Sequence, residues 1–432
     1  MQRKIIDKLV KWKNSTGRKP LLIRGARQVG KTFSIIEFGK THFNGNIHVF
    51  NLEKNPDIHA IFEKNLDSNR ILSELELVIN KIIEPGNDLL FFDEIQECPK
   101  AITALRYFYE ENPELHVIAA GSLLEFALKD ISFPVGRLQM LFMHPMTFEE
   151  FLIANNKKLL AENIKHPGSQ LSETVVQMAN NEMYNYFIVG GMPESVTTFL
   201  NSGSFMEAIQ VQSDLIATFR QDFSKYGGYS DKRCLNSVLS AVAHRTGEQI
   251  KYSNLDENYT NPTVKKAFEL LENARLFSKV RAASPAGSPL RTGASEKKFK
   301  TVFLDIGLLS NLNGFYSDKT INKQKFSSEF NGKMAEQFIG QELIAATDRD
   351  VYYWSRNARG SNAETDYLIE KEGNIIPIEV KSGKSGSLKS LHLLLDTFTN
   401  INTAFVFTED KQGEIKEKGI NFLPLFQAGS IL

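Results

Sequence analysis

The chain has 432 residues, 42% of them hydrophobic and 24% charged, values that exclude a disordered or collagen-like chain and leave room for roughly two to four domains. With 51 Lys plus Arg against 51 Asp plus Glu the net charge is zero, which excludes a uniformly basic coat for nucleic acid but not a local patch. The two cysteines, Cys98 and Cys234, are far apart and lack metal-ligand neighbours, so they fit a reducing cytoplasm better than a disulfide scaffold.

The chain opens on Met1-Gln-Arg-Lys-Ile-Ile-Asp-Lys, charged from the start and without the apolar core of a signal peptide. Nowhere does an uncharged apolar run reach the ~18 residues of a membrane span, so a cytoplasmic protein with no membrane partner is expected. Residues 3 to 13 carry Ile5, Ile6, Leu9, Val10 and Trp12 among lysines, the pattern of an amphipathic helix packed on a sheet. Leu21, Leu22 and Ile23 then form a short apolar strand. Gly25 to Gly30 read as a loop, and a helix with Phe33, Ile35, Ile36 and Phe38 on it follows. Gly-x-x-x-x-Gly-Lys-Thr between a strand and a helix is the frame of a phosphate-binding loop. Glycines let successive backbone N–H groups turn inward around an anion, and the helix N-terminus adds positive potential. ATP is therefore expected on Gly25, Ala26, Arg27, Gln28, Val29, Gly30, Lys31, Thr32 and Phe33. Lys31 reaches the terminal phosphates, and Thr32 holds magnesium.

A second strand is expected over Asn46–Glu53. The third, Leu89-Leu-Phe-Phe-Asp-Glu94, ends in two acids. Asp93 is expected to hold magnesium with Thr32, and Glu94 to polarise the attacking water. A fourth strand, Leu115–Ala120, ends at Gly121-Ser122. Ser122 is either a γ-phosphate sensor or the cap of the next helix. A fifth strand lies within residues 133 to 146, preceded by Gly136-Arg137. Arg137 is expected to read the γ-phosphate in its own subunit or a neighbour's, or else to sit in a surface ion pair. Alternating strands and helices imply a parallel sheet with helices on both faces, and the nucleotide at the strands' C-terminal edge. No Asn-Lys-x-Asp guanine motif occurs, which favours ATP over GTP.

Gly25 to Thr32, Phe91-Phe-Asp-Glu-Ile-Gln96, Ala120-Gly-Ser122, Gly136-Arg137, Pro145 and Phe148-Glu-Glu-Phe151 resemble a prokaryotic family of AAA-type ATPases with a C-terminal domain of unknown function. The resemblance covers essentially the whole chain and implies ATP binding and hydrolysis.

Residues 151 to 226 read as a helical lid interrupted by the turn Gly190-Gly-Met-Pro193, either a hinge or a tight helix connection. Residues 227 to 318 read as a winged helix, with Leu276–Arg281 and Lys300–Leu304 as the wing and 282 to 296 as its flexible tip. Between 220 and 300 there are 15 Lys or Arg against 8 Asp or Glu. Such a surface suits DNA, although winged helices beside AAA modules also act as protein-protein spacers.

Residues 319 to 432 form the last expected domain, following an ATPase domain over 1 to 150. A helix over Glu329–Ala346 carries Glu336. A hairpin around Glu372-Gly373 joins Glu364–Glu370, which holds Asp366, to Asn374–Lys381, which holds Glu379 and Lys381 on one face. Two carboxylates for a metal and a lysine for the water or phosphate are the parts of a magnesium nuclease. The arrangement resembles the restriction-endonuclease-like superfamily, and Glu336 matches its helical acid. Three uses stay open for this tail: cleavage, ion pairing alone, and binding without cleavage. The partners expected are ATP, then DNA or a protein, with oligomers allowed.

Overall fold

A computed structural model of the chain describes residues 1–127, 136–168, 170–225, 231–314, 328–347, 350–358, 361–381, 387–409 and 412–431. It divides into two compact units, Met1–Pro145 and Met146–Leu432. Among the described residues no helix is long and apolar enough to cross a membrane.

The first unit is built on five parallel strands: β1 (Leu21–Arg24), β2 (Ile47–Asn51), β3 (Leu89–Asp93), β4 (His116–Ala120) and β5 (Gln139–Phe142). Their order is β2-β3-β4-β1-β5. The continuous apolar runs of β3 and β4 explain their central place, since a strand covered by helices on both faces has no solvent side. Both are buried at every position, whereas β2 and β5 are partly exposed edges. Phe92 anchors one face, its ring 5.7–6.1 Å from those of Phe50, Phe62 and Phe108. The helix Ile5–Lys13 buries Ile5, Leu9 and Trp12.

The parallel register lines up three loops at one edge. β1 pairs with β4 (Leu21↔Ile118) and with β5 (Leu21↔Gln139), and β4 pairs with β3 (Leu89↔His116). The segments after β1, β3 and β4 therefore leave the sheet side by side.

The second unit begins with helices, among them Glu173–Val189, Pro193–Ser202 and Phe205–Asp222. Gly190 stops the first of these with φ +71. The Gly190-Gly191 turn is a packing point. The Gly191 amide donates to Asp305 Oδ2 at 2.6 Å, and Asp305 also caps the helix Ile306–Leu312 by accepting from the Gly307 and Leu308 amides. A Cβ on either glycine would overlap Asp305 or the Met146 carbonyl.

After the helices Lys232–His244 and Asn261–Asn273 come β6 (Phe277–Ala282) and β7 (Phe299–Phe303). Beyond the helix Ser328–Thr347 lie β8 (Tyr352–Ala358), β9 (Ser361–Lys371), β10 (Asn374–Lys381), β11 (Ala404–Thr408), β12 (Gly413–Ile415) and β13 (Ile420–Pro424). All eight form one sheet, β12-β13-β11-β10-β9-β8-β6-β7. Glu372 (φ +52) and Gly373 (φ +81) make the two-residue turn between β9 and β10.

This sheet bears on the expected wing and domain borders. The expected borders at 226/227 and 318/319 fall outside the described residues. The β6–β7 hairpin is not a free wing, because β6 runs parallel to β8 in the same sheet (Arg281↔Tyr352). Its connecting loop is held down as well. Leu290 is buried in a cluster with Trp354, Leu368 and Leu394, and Glu370 accepts from Ser288 Oγ and the Leu290 amide. The Ala, Ser, Gly and Pro of 282–296 suggested flexibility, but one buried leucine and a carboxylate anchor outweigh composition.

Candidate functional site

The phosphate loop leaves β1 at Gly25 and enters the helix Lys31–His42 through Gly30. Positive φ angles at Gln28 (+63) and Gly30 (+93) turn the loop on itself. At Gly25 a side chain would overlap the Met143 carbonyl. Lys31 is 7% exposed, and its Nζ donates to the carbonyls of Gly25 at 3.0 Å and Ala26 at 2.8 Å. Burial lowers its pKa to about 8, only partly offset by the negative charges of Glu94 and Asp93. Val29 is buried, and Phe33 stands 58% exposed on the first turn of the helix. Arg3, from the amino-terminal segment, braces the loop by donating to the Val29 carbonyl at 2.9 Å and the His144 carbonyl at 2.7 Å.

The ends of β3 and β4 face this loop. Thr32 Oγ1 donates to Asp93 Oδ1 at 3.0 Å, and Asn51 Nδ2, at the end of β2, donates to Asp93 Oδ2 at 3.0 Å. Burial is the main reason that the Asp93 pKa is raised. Glu94 adopts a left-handed backbone (φ +50) just past the strand. Its Oε2 accepts from Gln96 Nε2 at 2.7 Å and from Ser122 Oγ at 3.4 Å. Gln96 is seated against Gly121, where a Cβ would overlap its Oε1. A hydroxyl, a buried carboxylate, a buried ammonium and a fixed second carboxylate thus converge on one loop. The Thr32–Asp93 oxygen pair is the kind of hard donor set that magnesium takes.

Arg137 lies elsewhere. It precedes β5, whereas the loop follows β1, and the two strands are parallel (Leu21↔Gln139 to Arg24↔Phe142). The sheet separates them by at least the length of the strand, ~13 Å. Its Nε pairs with Glu110 Oε1 at 3.0 Å and its side chain is 46% exposed.

In the second unit a cluster gathers around β9 and β10. Lys381 Nζ pairs with Glu379 Oε1 at 2.6 Å, and Asp366 Oδ2 accepts from the Val380 amide at 2.7 Å. Glu336 is carried by the helix Ser328–Thr347. Its Oε2 is accommodated by Gly247, where a Cβ would stand 2.8 Å away. Burial pushes the Glu336 and Glu379 carboxyls well above the usual range. Lys300 joins this cluster from outside the hairpin. It comes from β7, is 3% exposed, and meets Glu336 Oε1 at 3.0 Å, Asp366 Oδ1 at 4.0 Å and Glu364. Burial draws its pKa down, but Glu336, Asp366 and Glu364 overcome that and leave it raised. Among the described residues no group of three or more His, Cys, Asp or Glu is arranged to hold a metal ion. Asn51, Gln96 and Lys300 are the site residues that sequence reasoning missed. Asn51 ends a strand, Gln96 sits in the acidic strand-end run, and Lys300 stands among Phe299, Val302 and Phe303.

Family models match three segments. Residues 17–152 match the model described as an AAA domain, and the five-stranded parallel sheet agrees with that fold. Residues 180–319 and 331–427 match two domains of unknown function, DUF8612 and DUF4143. No curated protein matches the chain. Among solved structures, a Walker-type ATPase of Pyrococcus abyssi is similar at 14% identity over 72% of this chain and 95% of that chain, with a TM-score of 0.45. The Aeropyrum pernix Orc1 protein, solved in complex with DNA, is 13% identical over 72% of this chain and 91% of that one, with a TM-score of 0.31. The Thermotoga maritima RuvB Holliday junction branch migration motor is 15% identical over 65% and 90%, with a TM-score of 0.30.

Proposed function

We propose that this chain, which carries an AAA-type P-loop ATPase domain and hydrolyses ATP, is a cytoplasmic nucleotide switch acting on DNA through its second unit. On this reading Asp366 and Glu379 would hold a divalent metal, which would supply charge neutralisation on a phosphodiester, and Lys381 would steady the attacked phosphate. The observation that carries the switch is the convergence of Lys31, Thr32, Asp93 and Glu94 on one loop. Lys31 keeps a proton on Nζ and offers it to the terminal phosphates, while the loop amides surround the anion. Thr32 and Asp93 would hold magnesium, which supplies charge neutralisation on the phosphates. Glu94 takes the proton of the attacking water, and Gln96 and Ser122 keep its carboxylate aimed.

The DNA-directed part rests on the basic excess of residues 220 to 300 and on the grouping of Glu379, Lys381 and Asp366. The test is cleavage of single- and double-stranded DNA by the purified chain with magnesium or manganese, with and without ATP. Asp366→Ala and Lys381→Ala should lose cleavage and keep ATP hydrolysis. A second reading, a regulatory ATPase scaffold for protein partners with an inactive tail, is favoured by Lys300, which already neutralises part of the acid cluster. Intact DNA and RNA in every metal-loaded reaction would select it.

A further inference from the structure

We infer that Lys300 is the resident cation of the acid cluster, and that a divalent metal ion binding there displaces it from Glu336 and Asp366. The inference rests on the reading of Asp366 and Glu379 as metal ligands.

Among the described residues, the acids Glu336, Glu364, Asp366 and Glu379 meet two ammonium groups, Lys300 and Lys381. The two lysines differ in kind. Lys381 extends from β10 beside Glu379, two residues away, and pairs with that acid at 2.6 Å. Lys300 comes from β7, the edge strand of the sheet, and contacts acids from β9 and from the helix Ser328–Thr347. Its Nζ lies 5.3 Å from the centre of the Tyr353 ring. A monovalent ammonium ringed by carboxylates from two elements occupies the place that a hard cation would take.

A second observation points to a ligand. Glu379 is 4% exposed, and its Oε2 has no hydrogen-bond partner among the described residues. A buried carboxylate oxygen without a donor is costly. Lys381 satisfies only the other oxygen. A cation shared by this oxygen and Asp366 would satisfy it, and Lys300, 4.0 Å from Asp366 Oδ1, would repel that cation at close range. Ammonium and metal therefore exclude one another.

Calorimetric titration of the full chain with Mn²⁺ in the absence of nucleotide tests this. Lys300→Met should bind Mn²⁺ at the cluster at least about tenfold more tightly than wild type, the factor given by removing one close like charge. Lys300→Arg should stay near wild type, and Asp366→Asn should remove this binding step in either background. A second readout needs no variant at Lys300. Acetylation of wild-type Lys300 by acetic anhydride, followed by mass spectrometry, should rise several-fold at saturating Mn²⁺, and the rise should vanish in Asp366→Asn. Equal or weaker Mn²⁺ affinity in folded Lys300→Met, or unchanged Lys300 acetylation, overturns the displacement. The failures are separable. Mn²⁺ binding lost in Asp366→Asn but indifferent to Lys300 keeps the metal site and removes the displacement. Displacement without any DNA cleavage keeps the inference and removes the nuclease.

Discussion

Replacing Lys31 by methionine should move stability and ATP affinity in opposite directions. The ammonium is 7% exposed and its pKa falls from 10.5 to about 8. At about 1.4 kcal/mol per unit, holding that charge in the nucleotide-free fold costs on the order of 3 kcal/mol at neutral pH. Its two hydrogen bonds to the Gly25 and Ala26 carbonyls return roughly 1 kcal/mol each. The nucleotide-free variant should therefore gain ~1 kcal/mol. A lysine with a lowered folded pKa binds fewer protons when folded, so wild-type stability should rise relative to the variant's as pH goes from about 8 to 10.5. ATP binding goes the other way. Losing one or two charge-assisted contacts to phosphate costs ~3 kcal/mol or more, at least about a hundredfold in Kd. Urea melts of the nucleotide-free proteins and calorimetry with Mg-ATP measure both. A variant that binds ATP within about threefold of wild type, or that loses more than ~2 kcal/mol when nucleotide-free, would falsify the assignment of Lys31 as a buried charge kept for phosphate.

Glu94→Gln should bind ATP within about threefold of wild type yet lose at least ~100-fold in turnover, because only the base is removed; unchanged steady-state hydrolysis would exclude Glu94 from that role. Arg137→Ala should leave ATP affinity unchanged, and any loss of hydrolysis should be partly restored by mixing with Lys31→Ala, since Arg137 pairs with Glu110 away from its own loop. A loss that no mixture restores would argue against action on a neighbouring copy. His116 is packed edge-on against Trp12 and Phe43, and burial first, then the charges of Arg18 and Lys13, lower its pKa to about 4. An unfolded chain binds the proton near 6.5, so stability is intact above that pH and falls by up to ~3 kcal/mol as pH drops towards 4. Denaturant midpoints across that range should show the fall in wild type and lose most of it in His116→Phe.

The phosphate loop was legible because its chemistry demands fixed residue types at fixed spacing on one local strand-loop-helix. Asp93 and Glu94 were legible because an apolar strand ending in two acids reads as a strand end facing the loop. Their supports were not: Asn51 reaches Asp93 only through the pairing of β2 with β3 (Asn51↔Asp93), and no local pattern announces a register. Arg137 illustrates the converse. Its position before a strand was read correctly, but strand direction puts it at the opposite edge from the loop. In the second unit the hairpin of Asp366 and Glu379 is local and readable. Lys300 arrives from another hairpin, and a lone lysine in an apolar strand gives no hint of which acids it meets. That the β6–β7 hairpin joins a larger sheet was not readable either, since only the β6–β8 pairing reveals it.

That pairing bears on where this protein can be cut. The segments matching the two domains of unknown function meet between residues 319 and 331, a natural place for a cloning boundary. A fragment beginning there would keep Glu336, Glu364, Asp366 and Glu379 but forfeit Lys300, and β8 would become a bare margin once β6 is gone. Such a piece would carry mutually repelling acids and an adhesive strand edge, the recipe for an insoluble product. A fragment that keeps the cluster intact must therefore reach back to Phe277 and include the β6–β7 hairpin.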